Sequence, residues 1–345
     1  MKPFNLEPKN KSEKILSKMI DLTKFHYQNC GFYRNYLNSL EAEIDNISCI
    51  ETIPYLPARF FKEFSISSSN NSVAVAKSSG TSGQASKINL NHKTMLAQSV
   101  ALNSIVSSFV GLKKRPMLII DKESVAQDKL SFNARGAAVL GFQKFGDPIY
   151  FAYDQNGEIL TKSINKFYKD VSDFNSGLIF GFTSKVWESL EEIKVIIEPK
   201  KNADMLLIHG GGWKKLENLK ISNKDFCDAA QDTFGSCSVH NYYGMVEQTG
   251  SIFFECEHGK MHASSFSEAI VRDVNTLEPL KHGQDGVIQV FSTLPESYPG
   301  HSILTEDFGR VSKDEKCKCG RFGTTIKIDG RLPDAEIRGC SDVYN

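Results

Sequence analysis

The segment Ser78-Ser79-Gly80-Thr81-Ser82-Gly83-Gln84-Ala85-Ser86-Lys87 gathers five hydroxyls, two glycines and a lysine into ten positions. Glycine lets backbone N–H groups approach phosphate oxygens, and hydroxyls add further donors. Lys87 supplies a positive charge for a polyphosphate. No Gly-Lys-Ser/Thr closes the run, so it is not a Walker loop. A flexible Ser/Gly linker has the same composition, and spacing alone leaves linker and phosphate loop level. Cys256 and His262, followed by Cys317-Lys318-Cys319, carry the donor types of a closed, structural zinc site. That C-x-C pair is one residue tighter than the common knuckle. His258 competes as the imidazole, and a set of unrelated reduced thiols fits the spacing as well. Cys340, near the C-terminal end, reads on its own as an incidental cysteine.

The elements that would position these groups alternate. Apolar Ile15, Leu16, Met19 and Ile20 predict a helix over 12–29 with Ser12 as its cap. Pro54 and Pro57 interrupt regular structure, and Ser65 to Ser72 reads as a loop. Val73–Ala76 forms a short strand leading into the Ser/Gly run. Strands are expected at Pro116–Ile120, Leu178–Phe180 and Met205–Ile208, and helices at Ser131–Leu140 and from Ser222 through Phe234. Asp225, three residues after Ser222, makes a near-capping box. This rhythm predicts an α/β fold with a substantial parallel sheet. Beyond residue 252 the chain turns to short, Gly-punctuated strands such as Gly286–Phe291 and Thr325–Ile328. The expected division is an α/β core over 1–251, a β-rich subdomain over 252–330 carrying the Cys/His set, and a short mobile tail over 331–345.

Composition narrows the classes. The 345 residues include 41 basic and 41 acidic side chains, so no global field attracts nucleic acid or an anionic membrane. Hydrophobic residues at 40% allow a sizeable core without disulfides. No run approaches the ~20 apolar residues of a membrane span, and the polar start lacks a signal-peptide core. The expectation is a cytoplasmic protein with no nucleic-acid partner, its eight cysteines mostly reduced or metal-bound. Cys30, Cys49, Cys227 and Cys237 then read as structural thiols.

Five segments in order resemble signatures of the adenylate-forming superfamily, which includes acyl-CoA synthetases and phenylacetate-CoA ligases. They are the Ser/Gly run, His209-Gly210-Gly211-Gly212-Trp213, Asn241-Tyr242-Tyr243-Gly244-Met245-Val246-Glu247, Thr305-Glu306-Asp307-Phe308-Gly309-Arg310 and Gly330-Arg331. The resemblance spans roughly residues 55–340 and implies the superfamily's N-terminal domain, with parallel-sheet lobes and a smaller β-rich subdomain. It implies that Ser79, Gly80, Thr81, Ser82, Gly83 and Lys87 hold the phosphates of ATP. Gly210, Gly211 and Gly212 would lie under the adenine, with Tyr242, Tyr243 and Gly244 beside it. Glu247 would hold Mg2+, Asp307 the ribose hydroxyls, and Arg331 would mark the hinge. Similar Cys, His, Cys-x-Cys sets in some phenylacetate-CoA-ligase-like proteins favour zinc on Cys256, His262, Cys317 and Cys319.

Past the hinge the superfamily's swinging domain of about 100 residues is expected to be absent. In this respect the chain resembles the LuxE-type acyl-protein synthetases of the bacterial luciferase fatty-acid reductase complex. Ser131-Phe132-Asn133-Ala134-Arg135-Gly136 and Gly181-Phe182-Thr183 also resemble that family's segments. The resemblance implies ATP-dependent activation of a carboxylic, fatty-type acid to acyl-AMP. Lys87 and Glu247 would assist, and Cys340 would take the acyl group as a thioester. An acyl-CoA-reductase-like acceptor is the implied partner. An acyl-CoA ligase and a catalytically silent, zinc-stabilised scaffold are the competing expectations. Phe132, Val139, Phe180 and Phe182 could line an acyl pocket or simply pack a core.

Overall fold

The computed structural model describes residues 2–78, 85–126, 131–197, 200–213, 221–314 and 316–332. Two compact units emerge. One comprises residues 1–105, 244–254 and 260–345, the other 106–243 and 255–259.

The second unit is built on five parallel strands. In spatial order they are Gly235–Tyr243, Lys200–Gly210, Ser176–Phe182, Arg115–Lys122 and Gly146–Tyr153. Pro116 to Asp121 is buried at every position, the mark of a strand covered on both faces. Leu118, Ile120, Ile179 and Leu207 pack against Ile164, Phe167 and Val171 of helix Thr161–Phe174, Val186 of helix Thr183–Lys194, and Phe226 and Phe234 of helix Asn223–Phe234. After Arg115–Lys122 the chain adds a strand on one side, then crosses to the other and continues outward. That reversal falls between Arg115–Lys122 and Ser176–Phe182, and in open α/β sheets ligands bind beyond the carboxyl ends of strands at such a point.

Local signals fix the ends of these elements. Ser222 accepts from the Asp225 N–H at 3.1 Å while the Asp225 carboxylate accepts from the Ser222 N–H at 3.2 Å, completing the expected capping box. Asn175, at φ 51°, ends helix Thr161–Phe174 in the left-handed region. The helix expected over Ser131–Leu140 begins later, at Ala134. Asn133 is its cap, accepting from the Gly136 N–H at 2.8 Å, and Ser131–Asn133 is extended.

The first unit carries an antiparallel series. Ser267–Arg272, Asp285–Ser292, Ser302–Asp314 and Gly323–Arg331 pair in that order, with Met261–His262 beyond. Leu56–Pro57 pairs in parallel with Ile303 and Leu304, so the proline-rich stretch is tied to the sheet rather than unstructured. A separate hairpin joins Ala74–Lys77 to Lys87–Leu90. The first helix runs Pro8–Asn29, with Pro8 in its first turn, so Ser12 lies inside it and caps nothing. Its Ile15, Met19 and Leu22 pack on Ile53, Ile270 and Phe291. Among the described residues no helix is long and apolar enough to cross a membrane.

Candidate functional site

Glu247 sits on the one-turn helix Val246–Gln248 and is 5% exposed. Its backbone is clamped from three sides. Gln248 donates to the carbonyls of Val290 at 3.2 Å and Gly300 at 2.9 Å, and the Tyr298 hydroxyl donates to the Glu247 carbonyl at 2.8 Å. A Cβ on Gly300 would come within 2.7 Å of that carbonyl and 2.2 Å of the Tyr298 ring, so only glycine fits.

Burial pushes the Glu247 carboxyl up. The Ser86 hydroxyl, the residue's own backbone N–H and the Lys62 ammonium pull it back toward ionisation, and the Glu306 carboxylate opposes them. Ser86 is fully buried, and its hydroxyl makes no hydrogen bond of good geometry. Lys62, on the short helix Phe60–Glu63, pairs with Glu306 at 3.2 Å. Sequence reasoning missed Lys62, which stands in no motif, and gave Glu306 no role inside the Thr305–Arg310 segment, because the pair closes across 244 residues.

Asp307 and Arg331 are cross-strand neighbours, with Arg331 Nε 3.5 Å from Asp307 Oδ1. Thr305 steadies the turn of chain there, donating to Ile288 O at 2.7 Å and accepting from the Asp307 N–H at 3.1 Å. The Ser/Gly run is only partly described, since Ser79, Gly80, Thr81, Ser82 and Gly83 lie outside the described residues. Its neck is closed by Ser78 N–H to Ser86 O at 3.1 Å and Ser86 N–H to Ser78 Oγ at 2.9 Å. Lys87 is exposed and stands directly opposite Lys77 on the hairpin, so the neck presents two like charges side by side.

In the second unit the Gly-rich turn follows the strand Lys200–Gly210. Gly210 pairs with Tyr242, and a Cβ at Gly210 would lie 2.3 Å from the tyrosine ring. Gly211 has φ +80°, a conformation that side-chain-bearing residues rarely adopt. Gly212 follows and Trp213 packs edge-on to Phe226 at 5.9 Å. Tyr242 is buried, 5.0 Å from the Phe142 ring, and burial pushes its phenol well up. Tyr243 is half-buried, and Gly244 opens the other unit. His209, just before the turn, shares a 2.9 Å hydrogen bond with Thr183 through Nδ1, and burial pushes it down to about 3.

At the strand-order reversal, Asp121 is 1% exposed and takes both Nε and Nη2 of Arg135, at 2.6 and 2.7 Å. Of the apolar candidates, Val139 and Phe180 are fully buried, and Phe180 stacks on Phe142 at 4.4 Å. Phe182 is half-buried, and the Phe132 side chain lies outside the described residues.

The sulfur and nitrogen donors of Cys256, His262, Cys317 and Cys319 all lie within 4.8 Å of one another. Cys319 Sγ is 3.5 Å from His262 Nε2. His258 is not in the cluster, and its backbone N–H donates to Cys256 Sγ at 3.4 Å. The tight C-x-C spacing works because Gly320, at φ +84°, folds the chain back with Gly320 N–H to Cys317 O at 2.8 Å and Cys317 N–H to Arg321 O at 2.9 Å. Burial resists ionisation of the Cys319 thiol, yet hydrogen bonds from the Arg321 backbone, the Arg321 side chain and Cys317 hold it below the usual range. Three soft thiols and an imidazole at this spacing fit a closed tetrahedral zinc.

Comparison with known proteins bears on this geometry. The family described as "Acyl-protein synthetase, LuxE" matches residues 1–345. The chain belongs to the LuxE family of acyl-protein synthetases. That membership makes it an AMP-forming ligase, as the ordered motifs implied. A long-chain-fatty-acid–luciferin-component ligase of Vibrio harveyi is 31% identical over 140 residues, covering 40% of this chain and 36% of that protein. The ligase of the same name from Aliivibrio fischeri is 24% identical over 325 residues, 92% of this chain and 84% of that protein.

Among solved structures, a 2-hydroxyisobutyryl-CoA ligase in complex with its acyl-AMP and CoA superposes with TM-score 0.74 at 15% identity, over 96% of this chain and 77% of that one. ATP-bound MatB of Rhodopseudomonas palustris gives 0.50 at 17% identity, over 75% of this chain and 48% of that one. At these identities the likeness is one of fold. The LuxE chain thus has the mixed α/β fold of adenylate-forming ligases.

Proposed function

We propose that this LuxE-family protein activates a long-chain carboxylic acid with ATP and takes the acyl group onto Cys340 for delivery to a reductase-type acceptor. The observation that carries the reading is the family match along the whole chain, joined to a buried Glu247 carboxyl bordered by Ser86. A substrate carboxylate oxygen attacks the α-phosphorus of ATP. The new P–O bond forms as the bond to the bridging oxygen breaks, and pyrophosphate leaves. The Cys340 thiolate then attacks the acyl carbon, AMP departs, and the thioester keeps the acyl group activated for transfer.

Glu247 and Glu306 are hard oxygen donors that fit Mg2+, which when bound supplies positive charge opposite the phosphate oxygens. Asp307 is suited to the ribose hydroxyls, with Arg331 orienting it. Tyr242, Tyr243, Gly244 and the Gly210–Gly212 turn are suited to the adenine face. Ser79, Gly80, Thr81, Ser82, Gly83 and Lys87 are assigned to the phosphates. Cys256, His262, Cys317 and Cys319 would supply all four ligands of a zinc ion, which would then be structural rather than catalytic.

The test combines intact mass with pyrophosphate release, using MgATP and acids of graded chain length. A protein-bound acyl group that disappears in Cys340→Ala, with pyrophosphate release retained, supports the thioester route. Turnover that needs free coenzyme A and leaves no adduct replaces it with an acyl-CoA ligase. No pyrophosphate release with any acid would leave only a silent scaffold.

A further inference from the structure

We infer that Lys62 is the resident cation of the Glu247–Glu306 carboxylate pair, competing with a divalent metal for these carboxylates and passing to the polyphosphate when the metal binds. The inference rests on the proposed reading of Glu247 as a cation-binding carboxylate and adds a residue that no motif marks. Its geometric basis is the Lys62–Glu306 ion pair, with the charges that act on Glu247 as support. The Lys62 ammonium lies 3.2 Å from Glu306 Oε2, on side chains only 25% and 20% exposed. Glu247, 5% exposed, feels both groups, Lys62 stabilising its charge and Glu306 opposing it. The Ser86 hydroxyl borders the same carboxylate, buried and without a hydrogen bond of good geometry. Two carboxylates and a hydroxyl are oxygen ligands a Mg2+ or Mn2+ ion would use, yet a lysine holds one of them.

Two like charges in a sheltered site need a counter-charge. An ammonium provides one, and a divalent ion provides it better. An ammonium is also a compact point charge on a flexible four-carbon stem. Lys62, bound to Glu306 through one ion pair, can therefore leave it without unfolding the short helix Phe60–Glu63 that carries it. Once released, its three donors would be free for the polyphosphate of the proposed nucleotide site, where a mobile cation is useful. A purely structural strut would instead stay on Glu306 whatever the metal state.

The decisive measurement is Mn2+ binding to the zinc-replete protein without nucleotide, read by electron paramagnetic resonance. Lys62→Met should tighten Mn2+ about tenfold, because the competitor is gone, and at the same time raise the KM for ATP about tenfold. Lys62→Arg should restore both values toward wild type, and Glu306→Gln should weaken Mn2+. In the unmodified protein, Mg2+ alone should speed acetylation of Lys62 relative to Lys93, a surface lysine paired with Glu296. If Lys62→Met leaves Mn2+ affinity unchanged or weaker while Glu247→Gln weakens it, the competition is overturned and the proposed function stands. If Glu247→Gln leaves Mn2+ binding unchanged, Glu247 is not a cation carboxylate, and the inference falls with that assignment.

Discussion

A carboxylate held at 5% exposure is costly to ionise, so burial raises the Glu247 pKa, and Ser86, its own N–H and Lys62 offset that only in part. Its position depends on the Tyr298 hydroxyl and on the absence of a side chain at Gly300. Glu247→Gln removes the charge but little volume. It should lower pyrophosphate release about 10²–10³-fold, the scale of losing one preorganised electrostatic group, with the circular dichroism spectrum unchanged. Tyr298→Phe leaves the Glu247 carbonyl without that donor in a buried site. It should cost about 1–3 kcal/mol, read as a lower urea midpoint. At this scale the sequence offered Glu247, Asp307 and Arg331 as candidates by motif order. It did not place Lys62 beside Glu306, and it gave no sign that Lys87 is exposed opposite Lys77 while its neighbour Ser86 is buried toward Glu247.

Elements carry their own signals where those signals are local. The Ser222–Asp225 capping box needs four consecutive residues and was legible before any coordinates. Ser222→Ala should destabilise the protein by about 1 kcal/mol in chemical denaturation, with little change in catalysis. The Asn133 cap was hidden because the apolar run on either side reads as one helix, while the chain stays extended to Asn133. The Cys-x-Cys turn belongs to this scale too. Gly320 supplies the reversal that lets Cys317 and Cys319 converge, and Phe4 lies edge-on to His262 at 6.2 Å. Elemental analysis should find about one zinc per chain. Chelation or Cys319→Ser should lower the melting temperature and hasten proteolysis within the first ten residues, since ligand loss is folding energy lost.

For the whole molecule, buried histidines link stability to pH. His26 in one unit and His209 in the other are both pushed down to about 3 by burial, and His301, stacked on His26 at 5.0 Å, is shifted in the same direction. In the unfolded chain each titrates near 6.5, so the unfolded state binds protons that the folded state refuses. Their contribution is fully present above about pH 6.5 and is lost as pH falls toward 3, at about 1.4 kcal/mol per unit for each histidine. Melting temperature should therefore drop steeply between pH 6.5 and 4.5, and His26→Phe should flatten that slope even where it lowers the midpoint. A slope unchanged by the substitution would remove His26 from the account.

By itself the sequence determined the alternation of strands and helices, the superfamily signatures and the donor types of the Cys/His set. Each of these depends on residue type and near spacing, which a linear chain displays directly. Tertiary structure alone decided which distant groups meet. It chose His262 over His258 as the clustered imidazole, since backbone path and not residue type separates them. It required Gly210 because Tyr242 lies against it from the neighbouring strand. It set Lys62 on Glu306 across 244 residues. It also drew residues 1–105 together with 244–254 and 260–345 into one compact unit. Contacts of this kind arise from strand register and burial, quantities that exist only once the chain has closed on itself.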